Sequence, residues 1–384
     1  MIALLPSASR RSVNSGGKVR QQGLTLVELM VAMTISLILL AAISQVFITS
    51  RQTYTIEENQ ARTQEAGRFA MEFLSYDIRM AGYTGCSSKL SVGTPVSGEC
   101  PDGTVCSIAD PNNTLVTFNP DGMTAHKYVG PGATTAAWEP DLPTDFFGAG
   151  EVRENTDVII IMRGATTDAH LTGNTTPSNA NVHILNSEDI ADEISADDIL
   201  IVSDCRNADI FRATNTSTGS GQEAGRIVIA HSNTVNDGNF LTHAYGNDAQ
   251  LMKLINRAYY IGTGASGEPA LFRKELGKDA TTGDPAAIAQ ELVEGVEDMR
   301  LSFGEDTEAA ASRDFVPDRF VRADGVADFG MVVTVRVGLV TRTSTNVSQD
   351  VSLATPLSFD GITFPTPNDR RRRQYYLATI QKRN

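Results

Sequence analysis

Between Leu29 and Ser50 the chain has no charged residue, and between Leu24 and Ala66 it has neither glycine nor proline. The first absence excludes an ordinary water-exposed helix. The second removes the residues that would break one. Acid is missing from residues 1–23, which carry Arg10, Arg11, Lys18 and Arg20. Such a flank faces the cytoplasm under the positive-inside rule. Cysteine is sparse: there are four, none in a Cys-x-x-Cys pair, and the five histidines (His126, His170, His183, His231, His243) are scattered. That scatter speaks against a structural zinc site. Gly-x-Ser-x-Gly, His-Glu-x-x-His and a phosphate-binding glycine loop are all missing, so the chain lacks the marks of the common hydrolases, metalloproteases and nucleotide enzymes. No enzyme and no cofactor is expected. Asp121-Gly122 and Asn236-Asp237-Gly238-Asn239 lack the alternating ligand spacing of an EF-hand. Acidic pairs such as Asp197-Asp198 and Glu305-Asp306 read as solvated turns rather than catalytic dyads.

What remains is strongly patterned. The 384 residues carry a formal charge of −14, which becomes −18 without the four basic residues of the first 23. An acidic surface does not suit a general nucleic-acid binder. The charge-free segment, at ~1.5 Å per residue, spans roughly 30 Å, enough for a bilayer core. Its Thr34, Ser36, Ser44 and Gln45 can bond to their own backbone or to a neighbouring helix.

Three readings of this segment compete. It could be a plain signal anchor. It could be a cleaved secretory signal, but the run is too long and no small-x-small site follows it. The third reading is a leader cut before the apolar helix. Gly23-Leu24-Thr25-Leu26-Val27-Glu28-Leu29 resembles the type IV prepilin signature, in which a glycine precedes the cut and a glutamate stands fifth after it. Here Leu24 replaces the usual phenylalanine, and the leader is longer than many. The resemblance implies cleavage between Gly23 and Leu24 by a prepilin peptidase and N-methylation of Leu24. Cleavage would place a new α-amine one turn from Glu28. A carboxylate is favoured near a helix N-terminus, and an unpaired buried charge costs several kcal/mol. Glu28 is therefore expected to pair with the amine of a neighbouring subunit and to set axial register in a filament. The bland alternative is that it snorkels to the membrane interface.

The helix is expected to run on past the membrane. Ala66, Phe69, Ala70, Phe73, Leu74 and Ile78 fall at helical spacing and predict a core-facing stripe. Gly82 and Gly85 are expected to end it, after roughly 80 Å. Residues 87 to 150 read as loops with edge strands such as Thr114–Phe118. Strands are predicted over 157–163, 198–205, 208–211, 226–231, 254–261, 270–274, 296–303 and 331–341. Residues 164–197 read as a polar excursion, and Ile288 to Val296 as a short helix or turn. The basic segment from Arg370 to Gln374 continues into Tyr375–Ile380. All four cysteines follow the apolar segment and so lie on the side that permits disulfides. Three pairings are open. Cys100 with Cys106, closing a short loop, and Cys86 with Cys205, tying the helix end to the sheet, are favoured.

Several pieces resemble the PilW family of minor pilins. They are the prepilin head; Asp77–Tyr83 with Gly85-Cys86; Val202-Ser203-Asp204-Cys205 before Phe211; Leu292–Arg300; and Arg371–Tyr375 through Lys382-Arg383-Asn384. The fold expected is α+β. A long N-terminal helix, half transmembrane and half amphipathic, packs on a mainly antiparallel β-sheet domain with long loops. The divisions expected are a leader (1–23), a transmembrane half-helix (24–50), a periplasmic half-helix (51–82) and a β-rich pilin domain (83–384). The resemblance implies a minor pilin that takes part in pilus assembly initiation and the tip complex. Its partners would be other minor pilins, the major pilin, the prepilin peptidase, the inner-membrane assembly platform and a tip adhesin. It would be single-pass in the inner membrane with a periplasmic C-terminal domain, then reach the pilus on the cell surface. The alternatives are a minor pseudopilin of type II secretion and a tip module that binds DNA or surfaces through Arg370–Arg373. The other reading of those arginines is a solvated turn or a contact with an acidic partner subunit.

Overall fold

The structure is a computed structural model that describes residues 23, 25–85, 91–92, 100–102, 104–109, 115–116, 119, 121–132, 134–165, 169–173, 175, 181–186, 193–221, 224–308, 312–346, 358–365 and 369–383. Residues 1–57 and 58–384 form two compact units. A single helix, α1 (Leu26–Arg79), begins in the first and ends in the second.

Nineteen strands follow among the described residues. β1–β4 are Ser91–Val92, Thr104–Ser107, Met123–Tyr128 and Trp138–Glu139; β5–β8 are Val158–Gly164, Asn181–Leu185, Ile199–Ser203 and Ala208–Arg212. β9–β12 are Asn215–Thr218, Arg226–Ala230, Gln250–Thr263 and Pro269–Lys278; β13–β16 are Pro285–Glu294, Val296–Glu305, Arg319–Val321 and Val332–Arg342. β17–β19 are Ser358–Phe359, Ile362–Thr363 and Arg373–Gln381. The largest sheet runs β1-β2-β8-β7-β11-β5-β3-β4, with β12 on β11 and β13 on β12. A second sheet runs β15-β14-β16-β19, and β6-β10-β9 form a third. Pairing is antiparallel except for β1 with β2 and β2 with β8. The α+β architecture is the one expected.

β5 shows why the large sheet is central. Val158-Ile159-Ile160-Ile161-Met162 is apolar at every position because both faces are covered. Ile159 and Ile161 point to one core with Ala70, Leu74 and Ile78 of α1 and with Leu301, Val335 and Val337 of the second sheet. Val158, Ile160 and Met162 point to the other, with Trp138, Phe146 and Phe147. Full burial of a side chain such as Leu74 stabilises the fold by about 1.5–3 kcal/mol.

The end of α1 is fixed by backbone contact. Gly82 and Gly85 adopt φ of 79° and 97°, which glycine enters without a Cβ penalty. Gly122 lies so close to the turn that a Cβ there would stand 2.0 Å from the Gly82 nitrogen. Gly82 N–H donates to Met162 O at 2.9 Å, and Met162 N–H to Gly122 O at 2.9 Å. Arg383 N–H donates to the Arg79 carbonyl, which would otherwise be an orphan of the last turn.

Four expectations are corrected. Phe69 and Phe73 are 48% and 37% exposed; the buried stripe is Thr63, Gly67, Ala70, Leu74, Asp77 and Ile78. Gly67 belongs to it because the Tyr376 ring sits where a Cβ would be, 2.2 Å away. Residues 288–294 are strand, not helix or turn, since ladder pairing with β12 overrides their helix-forming alanine, glutamine and glutamate. Leu115 and Val116 form a turn with buried side chains instead of an edge strand, while Thr114, Thr117 and Phe118 lie outside the described residues. The excursion over 164–197 holds a strand, β6, which pairs with β10.

Candidate assembly site

α1 begins at a self-contained cap. Thr25 Oγ1 accepts from Glu28 N–H at 3.2 Å, while the Glu28 carboxylate accepts from Thr25 N–H and Oγ1, each at 3.1 Å. This reciprocal arrangement is a capping box, set by Thr and Glu three residues apart. Both residues are exposed, as is Gly23; Leu24 lies outside the described residues. Leu26, Val27 and Ile38 are among a run of large apolar side chains at least half exposed, from Leu26 to Ile48. The helix is long and apolar enough to cross a membrane. Thr34 Oγ1 donates to Val31 O at 2.8 Å, so its hydroxyl carries no unmet polar demand.

Inside the second unit, the last turns of α1 are held by a buried charge cluster. Asp77 is 1% exposed. Arg163 Nε and Nη2 donate to its Oδ1 at 3.1 and 2.9 Å. Arg257 Nη1 donates to both carboxylate oxygens at 3.3 and 3.2 Å, and Tyr259 OH to Oδ2 at 2.6 Å. Burial and the Asp77 charge hold the Tyr259 hydroxyl well above its usual range. Burial opposes the charge on Arg257, but its hydrogen bond to Glu275 and the charges of Asp77 and Glu275 outweigh that and raise it. β5 and β11 thus bring two cations to one helix carboxylate, which locks the azimuth of α1 on the sheet.

A second network lies beside β19. Arg373 donates to Glu297 at 2.6 and 3.1 Å and to Asp369 at 2.6 and 2.7 Å. Arg342 bridges Glu297 and Glu268, and Arg371 also reaches Glu268. Hydrogen bonds from Arg371 and from Arg373 hold Glu268 and Asp369, respectively, at about 2. The arginine run is therefore not a solvated turn. Arg371 and Arg373 are spent on internal pairs, while Arg370 and Arg372 are exposed.

Cys100 is bonded to Cys106, with Cα atoms 6.5 Å apart. Cys205 is disulfide-bonded, and Cys86, its expected partner, lies outside the described residues. Other sequence candidates take structural places. Asn236 exchanges hydrogen bonds with the Arg212 backbone at 2.7 and 2.9 Å, a strand clamp rather than a calcium ligand. Asp197 and Asp198 pair with Arg212 and with Lys253 and Lys278. Glu305 and Asp306 are buried rather than solvated. Asp306, Glu308 and Asp314 carboxylates lie within 4.8 Å of one another and are the described group that could hold a cation. Asp306 already accepts Glu308 and Phe315 N–H. The Asp77 cluster was not foreseen as a site. Its signals were a lone acid on the buried face of α1, and Arg163 and Arg257 within apolar strands.

Comparison with known proteins gives two family matches and a similar solved structure. Residues 18–44 match the prokaryotic N-terminal methylation motif, and residues 258–384 match Type IV Pilus-assembly protein W, PilW. Among solved structures, a type IV-like pilin from Thermus thermophilus is similar at 18% identity, over 34% of this chain and 67% of that one, with a TM-score of 0.21. No curated protein matches. The methylation motif and the apolar helix fit a membrane-anchored, type IV pilin-like protein. The match over the C-terminal third is narrower, and with the methylation motif it supports a PilW-type minor pilin of type IV pili. Such families are structural, and their members interact with other pilus components.

Proposed function

We propose that the chain is cut between Gly23 and Leu24, methylated at Leu24, and carried by α1 from the inner membrane into a pilus. Glu28 caps its own helix before assembly, and in the filament the α-amine of a neighbour takes over as its partner. Residues 24–50 form the membrane half of the helix, residues 51–82 its periplasmic half, and residues 83–384 the pilin domain. That domain faces the periplasm, tied by Cys86–Cys205 as well as Cys100–Cys106. It docks on other minor pilins to prime assembly and remain at the tip, with contacts to the major pilin, the assembly platform and a tip adhesin. It performs no catalysis.

The observation that carries this reading is the Thr25–Glu28 cap at the head of an exposed, membrane-length apolar helix. A carboxylate already satisfied at the helix head costs little in the membrane interface and can exchange a neutral donor for a charged one. The test is Glu28→Ala in cells lacking the native gene. The expected result is normal cleavage, loss from sheared filaments, and fewer pili. Incorporation equal to the parent would reject the exchange.

A further inference from the structure

The second sheet runs β15-β14-β16-β19, so β19 is its edge. The phase of the β16–β19 ladder is fixed at both ends. Lys382 N–H donates to Val333 O at 2.9 Å, and Thr343 N–H to Arg372 O at 3.0 Å. With the unbroken register between them, Gln374, Tyr376, Ala378 and Ile380 turn their N–H and C=O groups to β16. Those of Tyr375, Leu377, Thr379 and Gln381 point outward. Among the described residues nothing bonds to these outward groups. They form a row of donors and acceptors that repeats every ~6.8 Å.

The other described sheet edges are blunted. β1 and β4 have two residues each, β15 three and β9 four. β6 is bridged by Leu171. β13 is long but carries Pro285, Glu291 and Glu294 and a bulge. Short length, proline, charge and bulges are how sheets avoid joining another chain. From Gln374 to Gln381, β19 has no charge, no proline and no bulge, and Leu377 stands 48% exposed on it. The charges lie at its ends instead. Arg370 and Arg372 before it and Arg383 after it are exposed, and their guanidinium groups make no ion pair among the described residues. No acid occurs from Arg370 to Asn384, in a chain of net charge −14.

These charges select the occupant. A second copy does not fit: antiparallel pairing about Leu377 sets Arg372 opposite Lys382, and parallel pairing sets each cation opposite itself. Like charges opposed across strands are destabilising. A nucleic acid would meet the arginines but not the outward C=O groups, which need donors at strand spacing. We propose that β19 takes up an extended, acid-flanked segment of a partner protein as a further strand. Backbone bonds hold it, and Arg372 and Arg383 select its charge. The inference rests on the reading of this domain as an assembly subunit. Its test on the purified full-length chain in detergent is independent of the Glu28→Ala result, so either can fail alone.

The probe is a peptide of alternating threonine and valine, as long as β19, with two aspartates at each end. The controls are the same core with lysines at its ends, and oligothymidylate. The readout is residue-resolved amide hydrogen exchange. In the free chain Leu377 and Thr379 should exchange fast, and Tyr376 and Ala378 slowly. The aspartate peptide should slow Leu377 and Thr379 saturably, by at least about tenfold, and neither control should. Leu377→Pro removes an outward N–H but no bond to β16, and should weaken the peptide about tenfold. Arg372→Glu with Arg383→Glu should turn the preference to the lysine peptide. Slow exchange of Leu377 in the free chain, no protection by the aspartate peptide, equal protection by either control, or an unchanged preference after charge reversal would overturn the proposal. Should Leu377→Pro fail to fold, the charge-reversed chain decides.

Discussion

The two compact units solve the problem of apolar surface in opposite ways. In residues 1–57 the large apolar side chains of α1 from Leu26 to Ile48 stand exposed, with one described carboxylate at their head. In residues 58–384 apolar side chains fill three large cores, and the buried charge of Asp77 is paired with two arginines. The second unit can be satisfied in water alone. The first cannot, and a contiguous patch of that size marks a membrane or an assembly interface. The same helix is therefore an interface at its start and a structural core at its end, with the change set by side chains alone.

The sharpest break in this contrast is at Asp77. Asp77→Ala would leave Arg163 and Arg257 buried without their shared anion, and should cost about 3–5 kcal/mol in denaturant unfolding. Glu58→Ala, which removes the exposed pair with Arg62, should change it by less than about 0.5 kcal/mol. Leu74→Ala and Leu37→Ala remove the same atoms from the two ends of α1. The first should cost about 2–5 kcal/mol; the second should leave unfolding of the domain unchanged, since Leu37 is 65% exposed. Equal losses would erase the distinction.

Acid should act on the second unit through His231. Its ring is fully buried against Phe211, and burial, partly offset by its own backbone, lowers it to about 4 from 6.5. The unfolded chain then binds the extra proton first, so stability is complete above about pH 6.5 and falls as pH drops towards 4. The loss amounts to roughly 3 kcal/mol. His231→Phe should flatten that part of the stability–pH curve; an unchanged slope would assign it elsewhere. A more local effect is expected at the helix head. Thr25→Ala should cost the cap about 0.5–2 kcal/mol, read as faster amide exchange confined to the first turn.

The strongly periodic parts of this molecule were legible in its residues. β5, β7 and β16 announce themselves by runs rich in β-branched residues, and α1 by a long stretch without glycine or proline up to Ala66 and by Gly82 and Gly85 at its close. β13 was not legible because Ala286, Ala287, Ala289, Gln290 and Glu291 are helix formers and only the ladder with β12 makes it a strand. Spacing suggested that Phe69 and Phe73 face the core, but Gly67 lets Tyr376 approach and turns the buried face by one position. The arginine run looked solvated because its anions, Glu268 and Glu297, are distant in the chain. At the site itself, Gly23 and Glu28 were legible from the motif. That Glu28 bonds Thr25 is local chemistry the same residues carry.

The central claim is that the apolar helix is released intact by a cut in front of it. Intact-mass and N-terminal analysis of the membrane-extracted protein, from cells with and without the prepilin peptidase, tests it most directly. The expected result is a chain that starts at methylated Leu24 only when the peptidase is present. An intact leader in both strains, or a cut beyond Ser50, would contradict it.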